Sequence, residues 1–280
     1  FPPAMMGSAV FTGALKLSDA LNTKDLDGCT LRESLSQIGY AGAVPCRERP
    51  VYAYFEAHIE QGPILEAESK IIGVVEGIQG IRWFDCTIVG EEAHAGPTPM
   101  HARRDALTCA AHLVQRINTI AVQNKPHGRA TVGQFQLFPN SRNVIPGKIS
   151  LTVDMRHPDP DALTSMGESL RTQFEKTCKE AKLSGNLEEI WYSPPTHFEP
   201  TCVHTVEHAA RSHQYSNMRM ISGAGHDAKY MADICPTAMI FIPCKGGLSH
   251  NEMEDAEDVH LVAGAQVLLD AALIKAMEAE

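Results

Sequence analysis

Three observations predict an α/β protein with a smaller α+β domain inserted into it. Between Ile81 and Pro194 the patterns run strand, helix, strand, strand, helix, strand, the ferredoxin-like split order. Helix and strand patterns continue on both sides of that block. It is bracketed by the glycines of "GIQG" (77–80) and by the proline-rich "SPPTHFEPT" (193–201), both breaker stretches. The expected boundaries are 1–76 and 196–280 for the two parts of the outer domain and 77–195 for the insert.

The elements follow in order. "DLDGCTLRESLSQIG" reads as a polar helical stretch, and "AYFEAHIEQGPILEA" as a helix that Gly62-Pro63 interrupts. "IIGVVEGI" is rich in β-branched residues and predicts a strand. In the insert, "IRWFDCTIVGE" predicts a strand and "RRDALTCAAHLVQRINTIAVQ" an amphipathic helix. "RATVGQFQLFP" and "KISLTVDMRH" predict strands, "DPDALTSMGESLRTQFEKTCKEA" a second helix, and "LEEIWYSP" the last strand. Beyond it, "VEHAARSHQ" and "DVHLVAGAQVLLDAALIKAMEA" read as helices and "TAMIFIPC" as a buried strand.

Composition narrows the function. The 280 residues, 44% hydrophobic and 21% charged, describe a folded globular chain. A formal charge of -10 argues against nucleic acid or an anionic membrane as partner, while a small anionic substrate needs only one local arginine. No apolar run is expected to span a membrane, which takes roughly 20 residues. Eight scattered cysteines without a C-x-x-C pair are expected to be reduced thiols of a cytoplasmic protein. The opening "FPPAMMGSAVFTG", apolar and without an initiator Met, is expected to begin partway through a fold.

Five places can carry chemistry. His58, beside the break at Gly62-Pro63, is either a capping histidine or a ligand. His94 precedes the stiff loop "AGPTP", where a held ring and a plain loop histidine both remain open. In "NSRNVIPGKISLTVDMR", Ile149, Leu151, Val153 and Met155 alternate with Ser150, Thr152, Asp154 and Arg156, which puts Arg156 on the polar face. There it either clamps a carboxylate, with the Asn143 amide beside it, or pairs with Asp154. "ISGAGHDA" is a glycine-rich turn able to hold an anion on backbone N–H groups, and it carries His226. In "GGLSHNEMED", His250 occupies a loop position suited to a metal ligand. His112, His208 and His213 lie in helical patterns and are assigned to structure.

Together and in order, "HIEQGP", "GEEAHAGPTPM..RRDA", "NVIPG...DMRHPD", "SGAGHDA" and "LSHNEMED" resemble the N-carbamoyl-L-amino acid amidohydrolase, allantoate amidohydrolase and β-ureidopropionase group of the M20 metal-dependent amidohydrolases, over essentially the whole chain. The resemblance implies a partial zinc-peptidase-like catalytic domain with an inserted ferredoxin-like dimerisation or lid domain. It implies His58 and His250 as ligands of a centre of two divalent ions (zinc, manganese, cobalt or nickel). It implies Gln61 as a substrate contact and His94 as the group polarising the scissile carbonyl, reaching into the other subunit of a homodimer. Asn143 and Arg156 would bind the substrate carboxylate, and Ala224 and Gly225 would supply backbone contacts. The reaction implied is hydrolysis of the carbamoyl C–N bond of a small ureido acid to amino acid, ammonia and carbon dioxide. Among substrates, "GIQGIRWFDCTIVGEEAHAGPTPM" looks closer to carbamoylases than to allantoate amidohydrolases, with N-carbamoyl-β-alanine close behind the N-carbamoyl-L-amino acids; allantoate amidohydrolase or β-ureidopropionase activity, an aminoacylase or peptidase, and a non-catalytic dimerisation fragment are the alternatives.

This chain departs from the group in one respect. Members carry, upstream of the segment that this chain's opening stretch resembles, an H-x-D segment and a Glu-Glu pair that supply further ligands and the general base, and the chain is expected to lack those two segments. The chain by itself is therefore expected to bind metal weakly or not at all and to be inactive or nearly so.

Overall fold

A computed structural model describes the chain except for residues 2–4, 26, 45, 47, 48, 279 and 280. Parts of two expectations, at the opening stretch and at Leu26, thus lie outside the described residues. The chain forms two units, Phe1–Ile78 with Thr196–Glu280, and Gln79–Pro195.

The first unit begins with three short helices, α1 (Met6–Phe11), α2 (Leu17–Asn22) and α3 (Leu31–Gln37). A capping box starts α3: the Thr30 hydroxyl accepts from the Glu33 N–H, and the Glu33 carboxylate accepts from the Thr30 N–H. The next element corrects the sequence reading. Tyr54–Ile59 is a strand, β1, not the start of a helix; only Ile64–Ala67 (α4) is helical. The reason is tertiary, since β1 lies parallel to a later strand along its whole length, and such pairing overrides local preference. Strand β2 (Ile72–Ile78) follows, almost wholly buried as expected of a strand with both faces covered.

The second unit runs β3 (Gly80–Val89), β4 (Ala93–His94), α5 (Ala106–Gln123), β5 (Arg129–Thr131), β6 (Phe135–Phe138), β7 (Val144–Ile145), β8 (Lys148–His157), α6 (Pro160–Ala181) and β9 (Ser184–Ser193). Its main sheet has the order β5-β8-β3-β9 with β6 also on β8, and β4 pairs with β7 as a small ribbon. "RATVGQFQLFP", expected as one strand, is split into β5 and β6. Asp105 and Asp159 cap α5 and α6 with their carboxylates. The buried sides of both helices meet Phe84, Cys86, Ile88, Ile149, Leu151, Val153 and Met155 from the sheet, one continuous core. Alternation along β8 is as read from sequence.

Back in the first unit come β10 (Thr196–His197), α7 (Pro200–Ser212), β11 (Asn217–Ser222), α8 (Ala228–Met231), β12 (Thr237–Ile242) and α9 (Asp258–Glu278). The sheet order is β1-β12-β2-β10, with β11 parallel to β2. β11 and α8 have no counterpart in the sequence reading. Gly77 is needed for close approach, because a Cβ there would meet the Thr196 carbonyl oxygen at 2.3 Å. One expectation is corrected at α9: its 21 residues, mean hydropathy 1.5 over the most apolar window, are long and apolar enough to cross a membrane. In the fold α9 packs on α7, β1 and β12, and a Cβ at Gly264 would lie 2.7 Å from an Ile242 methyl.

All eight cysteines are free. Burial pushes the Cys86 and Cys109 thiols, in the core of the second unit, up to about 12, and raises Cys202 and Cys235 in the first.

Candidate active site

In the first unit the candidate residues collect at the carboxyl ends of two neighbouring parallel strands, where open α/β sheets place ligands. His58 on β1 pairs with Phe241 on β12, and one residue further Ile59 pairs with Ile242. The His58 Nδ1 lies 2.8 Å from the carbonyl oxygen of Ile59. A carbonyl only accepts, so Nδ1 carries the proton and Nε2 keeps its lone pair, the form in which a histidine binds a metal ion. His58 thus lies on a strand, and its ring is set by its own backbone rather than by a helix end.

The His226 ring stands edge-on to His58 with centroids 4.7 Å apart. It is 3% exposed, and its Nε2 shares a 2.8 Å hydrogen bond with the Ser222 hydroxyl. Burial, then the neighbouring His58, pushes its pKa down to about 4, so it is neutral at pH 7. Its Nδ1 lies 3.7 Å from Glu56. Burial holds the Glu56 carboxyl above the usual range, although the Ala228 N–H (2.8 Å) and the Tyr54 hydroxyl (3.2 Å) donate to it. Serine, histidine and glutamate in this sequence resemble a nucleophile triad. Ser222 is fully buried, however, and accepts from the Ala224 N–H at 3.1 Å, so it closes the glycine-rich turn instead.

That bond corrects one expectation. The Ala224 N–H is spent inside the turn and is not presented to a substrate, while Gly225 lies against the Met5 thioether. Gln61 lies in the turn after β1 at φ 59°, and its amide donates to the Ser249 hydroxyl at 2.9 Å. His250 follows at φ 55°, its N–H donating to Glu254 at 3.2 Å. Glu60 is occupied in capping α4, accepting from the Ile64 and Leu65 N–H groups at 2.8 and 2.7 Å. Among the described residues no group of three or more His, Cys, Asp or Glu side chains is gathered to hold a metal ion. The described residues supply donors without closing a site.

In the second unit His94 and Asn143 come together. His94 pairs with Val144 across the β4–β7 ribbon, and the Ala95 N–H donates to the Asn143 carbonyl at 2.9 Å. Gly96 donates its N–H to His94 Nδ1 at 3.0 Å, so the neutral ring carries its proton on Nε2 and offers a donor from an exposed position. Arg103, unremarked in the sequence reading, fixes this loop by donating to the Ala95 and Thr98 carbonyls at 2.8 and 3.1 Å.

Arg156 sits elsewhere in the unit. It pairs with Ile81 near the start of β3, while Lys148, beside the β4–β7 ribbon, pairs with Val89 at the other end. Eight steps of extended chain lead from Lys148 to Arg156, about 26 Å. The expectation that Asn143 stands beside Arg156 is therefore corrected for a single copy of the unit. Arg156 forms a two-pronged pair with Asp154, Nε to Oδ1 and Nη2 to Oδ2 both at 2.8 Å, and the Trp83 indole donates to the same carboxylate at 2.8 Å. The pair raises the Arg156 pKa further, so it remains a guanidinium.

Comparison with known proteins agrees with this architecture. The sequence profile of Peptidase family M20/M25/M40 matches residues 7–274, and the chain belongs to that family. It is 44% identical over 273 residues to the N-carbamoyl-L-amino-acid amidohydrolase of Rhizobium meliloti, covering 98% of this chain and 66% of that protein. It is 32% identical over 270 residues to the allantoate amidohydrolase of Escherichia coli strain K12, covering 96% of this chain and 66% of that protein. Among solved structures, an amidase of the hydantoinase/carbamoylase family from Burkholderia multivorans superposes with a TM-score of 0.93 at 52% identity, over 98% of this chain and 67% of that one. The chain thus spans 66% of the length of both curated relatives.

Proposed function

We propose that this chain carries substrate-binding and metal-ligating parts of an amidohydrolase that cleaves the carbamoyl C–N bond of N-carbamoyl-L-amino acids. The observation that carries the reading is the pairing of β1 with β12, which places His58, in a metal-binding tautomer, at the same sheet end as the Gln61 and Ser249–His250 loops. Its support from relatives is the N-carbamoyl-L-amino-acid amidohydrolase of Rhizobium meliloti, at 44% identity. In this reading His58 and His250 are ligands of a divalent metal centre that the described residues do not complete, so turnover by this chain is expected to be low.

The chain's own residues have separable tasks. His94 donates from Nε2 to the carbamoyl oxygen, which favours charge developing there. Arg156 takes the substrate carboxylate in place of Asp154. That exchange costs little, because a partly exposed pair is worth about 0–1 kcal/mol. With His94 on the β4–β7 ribbon, beside the Lys148 end of β8, and Arg156 near the other end of that strand, a substrate of a few ångströms meets them from two copies of the chain. This favours a homodimer through the second unit, each copy lending His94 and Asn143 to the other.

A second reading replaces the substrate with allantoate, on the 32% identity to the Escherichia coli enzyme. The two are separated by measuring ammonia release from N-carbamoyl-L-amino acids and from allantoate with manganese or zinc added, together with calorimetric binding of each. Preference for the carbamoyl amino acids in rate and binding is expected. Preference for allantoate would replace the first reading with the second, and binding of neither would remove both.

A further inference from the structure

Beyond Ile242 the chain turns away from β12 and returns against the turn that follows β1. The two loops meet backbone to backbone. Gly247, at φ 65°, approaches so closely that a Cβ there would lie 2.8 Å from the Pro63 nitrogen and 2.9 Å from the Gly62 carbonyl carbon. The Cys244 thiol points at the Gly62 carbonyl, 3.7 Å away. Only glycine fits such a contact, so the seam between the loops is a designed closeness rather than chance proximity.

Side chains then close the seam. The Gln61 amide donates to the Ser249 hydroxyl at 2.9 Å, which ties the residue next to His250 to the turn after β1. The Glu254 carboxylate accepts the His250 N–H at 3.2 Å. A turn brings Glu254 back onto the loop, with its N–H donating to the Asn251 carbonyl at 3.0 Å and the Met253 N–H to the Asn251 side chain at 2.9 Å. Gln61 and His250 both hold left-handed backbone, φ 59° and 55°. Non-glycine residues keep that conformation only where their surroundings impose it.

We propose that Glu254 is a positioning residue: by accepting the His250 N–H it sets the left-handed turn of the loop that Gln61, through Ser249, clasps to the turn after His58. The proposal rests on the reading of these two histidines as metal ligands and adds what fixes their relative placement. It also gives Gln61 a task besides substrate contact, as the tie between Ser249 and the turn after β1. Groups of this kind, which hold ligands without binding the ion, are worth about 10- to 100-fold in metal affinity.

The test compares Glu254→Ala and Glu254→Gln with the unaltered chain in two measurements: exchange of the His250 amide proton followed by NMR, and zinc affinity by competition with a chelating indicator. Glu254→Ala is expected to speed His250 exchange about 10-fold or more while Ala57 and Ile240, in the sheet, exchange as before. It is also expected to weaken zinc about 10-fold or more. Glu254→Gln, which still has an accepting oxygen, should recover part of both. Unchanged His250 exchange in Glu254→Ala overturns the hold of Glu254 on the His250 N–H. Faster exchange with unchanged zinc affinity overturns the positioning role. His58→Ala and His250→Ala run alongside; zinc affinity that neither lowers counts against the ligand reading itself, and so against positioning, independently of the exchange result.

Discussion

His58 donates a hydrogen bond from its Nδ1–H to the carbonyl of Ile59, its neighbour on the same strand, over 2.8 Å. The backbone of β1 therefore decides which nitrogen of the ring is basic. Long-range proton–nitrogen NMR of the neutral imidazole is expected to show a protonated Nδ1 and a bare Nε2. The opposite tautomer would remove the argument that His58 is presented to a metal ion.

The Arg156–Asp154 pair competes with any carboxylate ligand. Asp154→Asn removes that competitor and keeps an acceptor for the Trp83 indole. It is expected to tighten N-carbamoyl amino acid binding by up to about 5-fold, the equivalent of a pair worth about 1 kcal/mol. Arg156→Ala should abolish binding, and Arg156→Lys should weaken it strongly by losing the planar two-pronged contact. Calorimetry checks all three.

Complementation tests the two-copy arrangement. His94→Ala and Arg156→Ala chains, each impaired alone, are mixed in equal amounts and allowed to exchange. Half of the dimers are then mixed, and one of their two sites has both residues intact. Activity is expected to return to about a quarter of that of the unaltered chain. No recovery in a mixed dimer verified by mass would show that both residues act within one copy.

Gly77→Ala tests the return of the chain into the first unit. The added methyl meets a backbone carbonyl oxygen at 2.3 Å, which cannot swing aside like a side chain. A loss of about 1–3 kcal/mol of stability is expected in urea unfolding.

His157 provides a pH test away from the candidate ligands. It is 9% exposed, its Nδ1 accepts the Asp159 N–H at 3.0 Å, and the His127 ring stands 6.1 Å away. Burial lowers its pKa below the ordinary histidine value of 6.5. The unfolded chain then binds the proton more readily than the folded one. This contribution to stability is present above about pH 6.5 and is lost as the pH falls through the lower folded value. His157→Gln should flatten the dependence of the urea midpoint on pH in that window; an unchanged slope would show that His157 does not set it.

Legibility in the sequence followed how strongly each segment specifies itself. β3, β8, α5 and α6 could be read because alternating or helical apolar spacing extends over ten residues or more in each. β1 was misread because its six residues are half-buried and its strand state comes from β12, almost 180 residues away in the chain. Tyr54, Glu56 and His58 do alternate with Phe55, Ala57 and Ile59, a period of two that a helix would not favour. β11 carries Arg219 and polar ends, and nothing local marks it as β2's neighbour. The motifs located the two loops that bear His58 and His250, but not the Gln61–Ser249 bond that ties them or the hold of Glu254 on the His250 N–H. They also placed Asn143 beside Arg156, because closeness along the chain says nothing about which way the intervening ten-residue strand points.

The buried thiols give each unit its own clock. A thiol whose pKa stands near 12 is almost never a thiolate at neutral pH, so alkylating reagents reach Cys86 and Cys109 only when the core of the second unit opens. Cys202 and Cys235 register the same event in the first. The rates at which these four positions are labelled in the native protein would therefore tell whether the inserted unit unfolds on its own or only together with the sheet that flanks it in sequence.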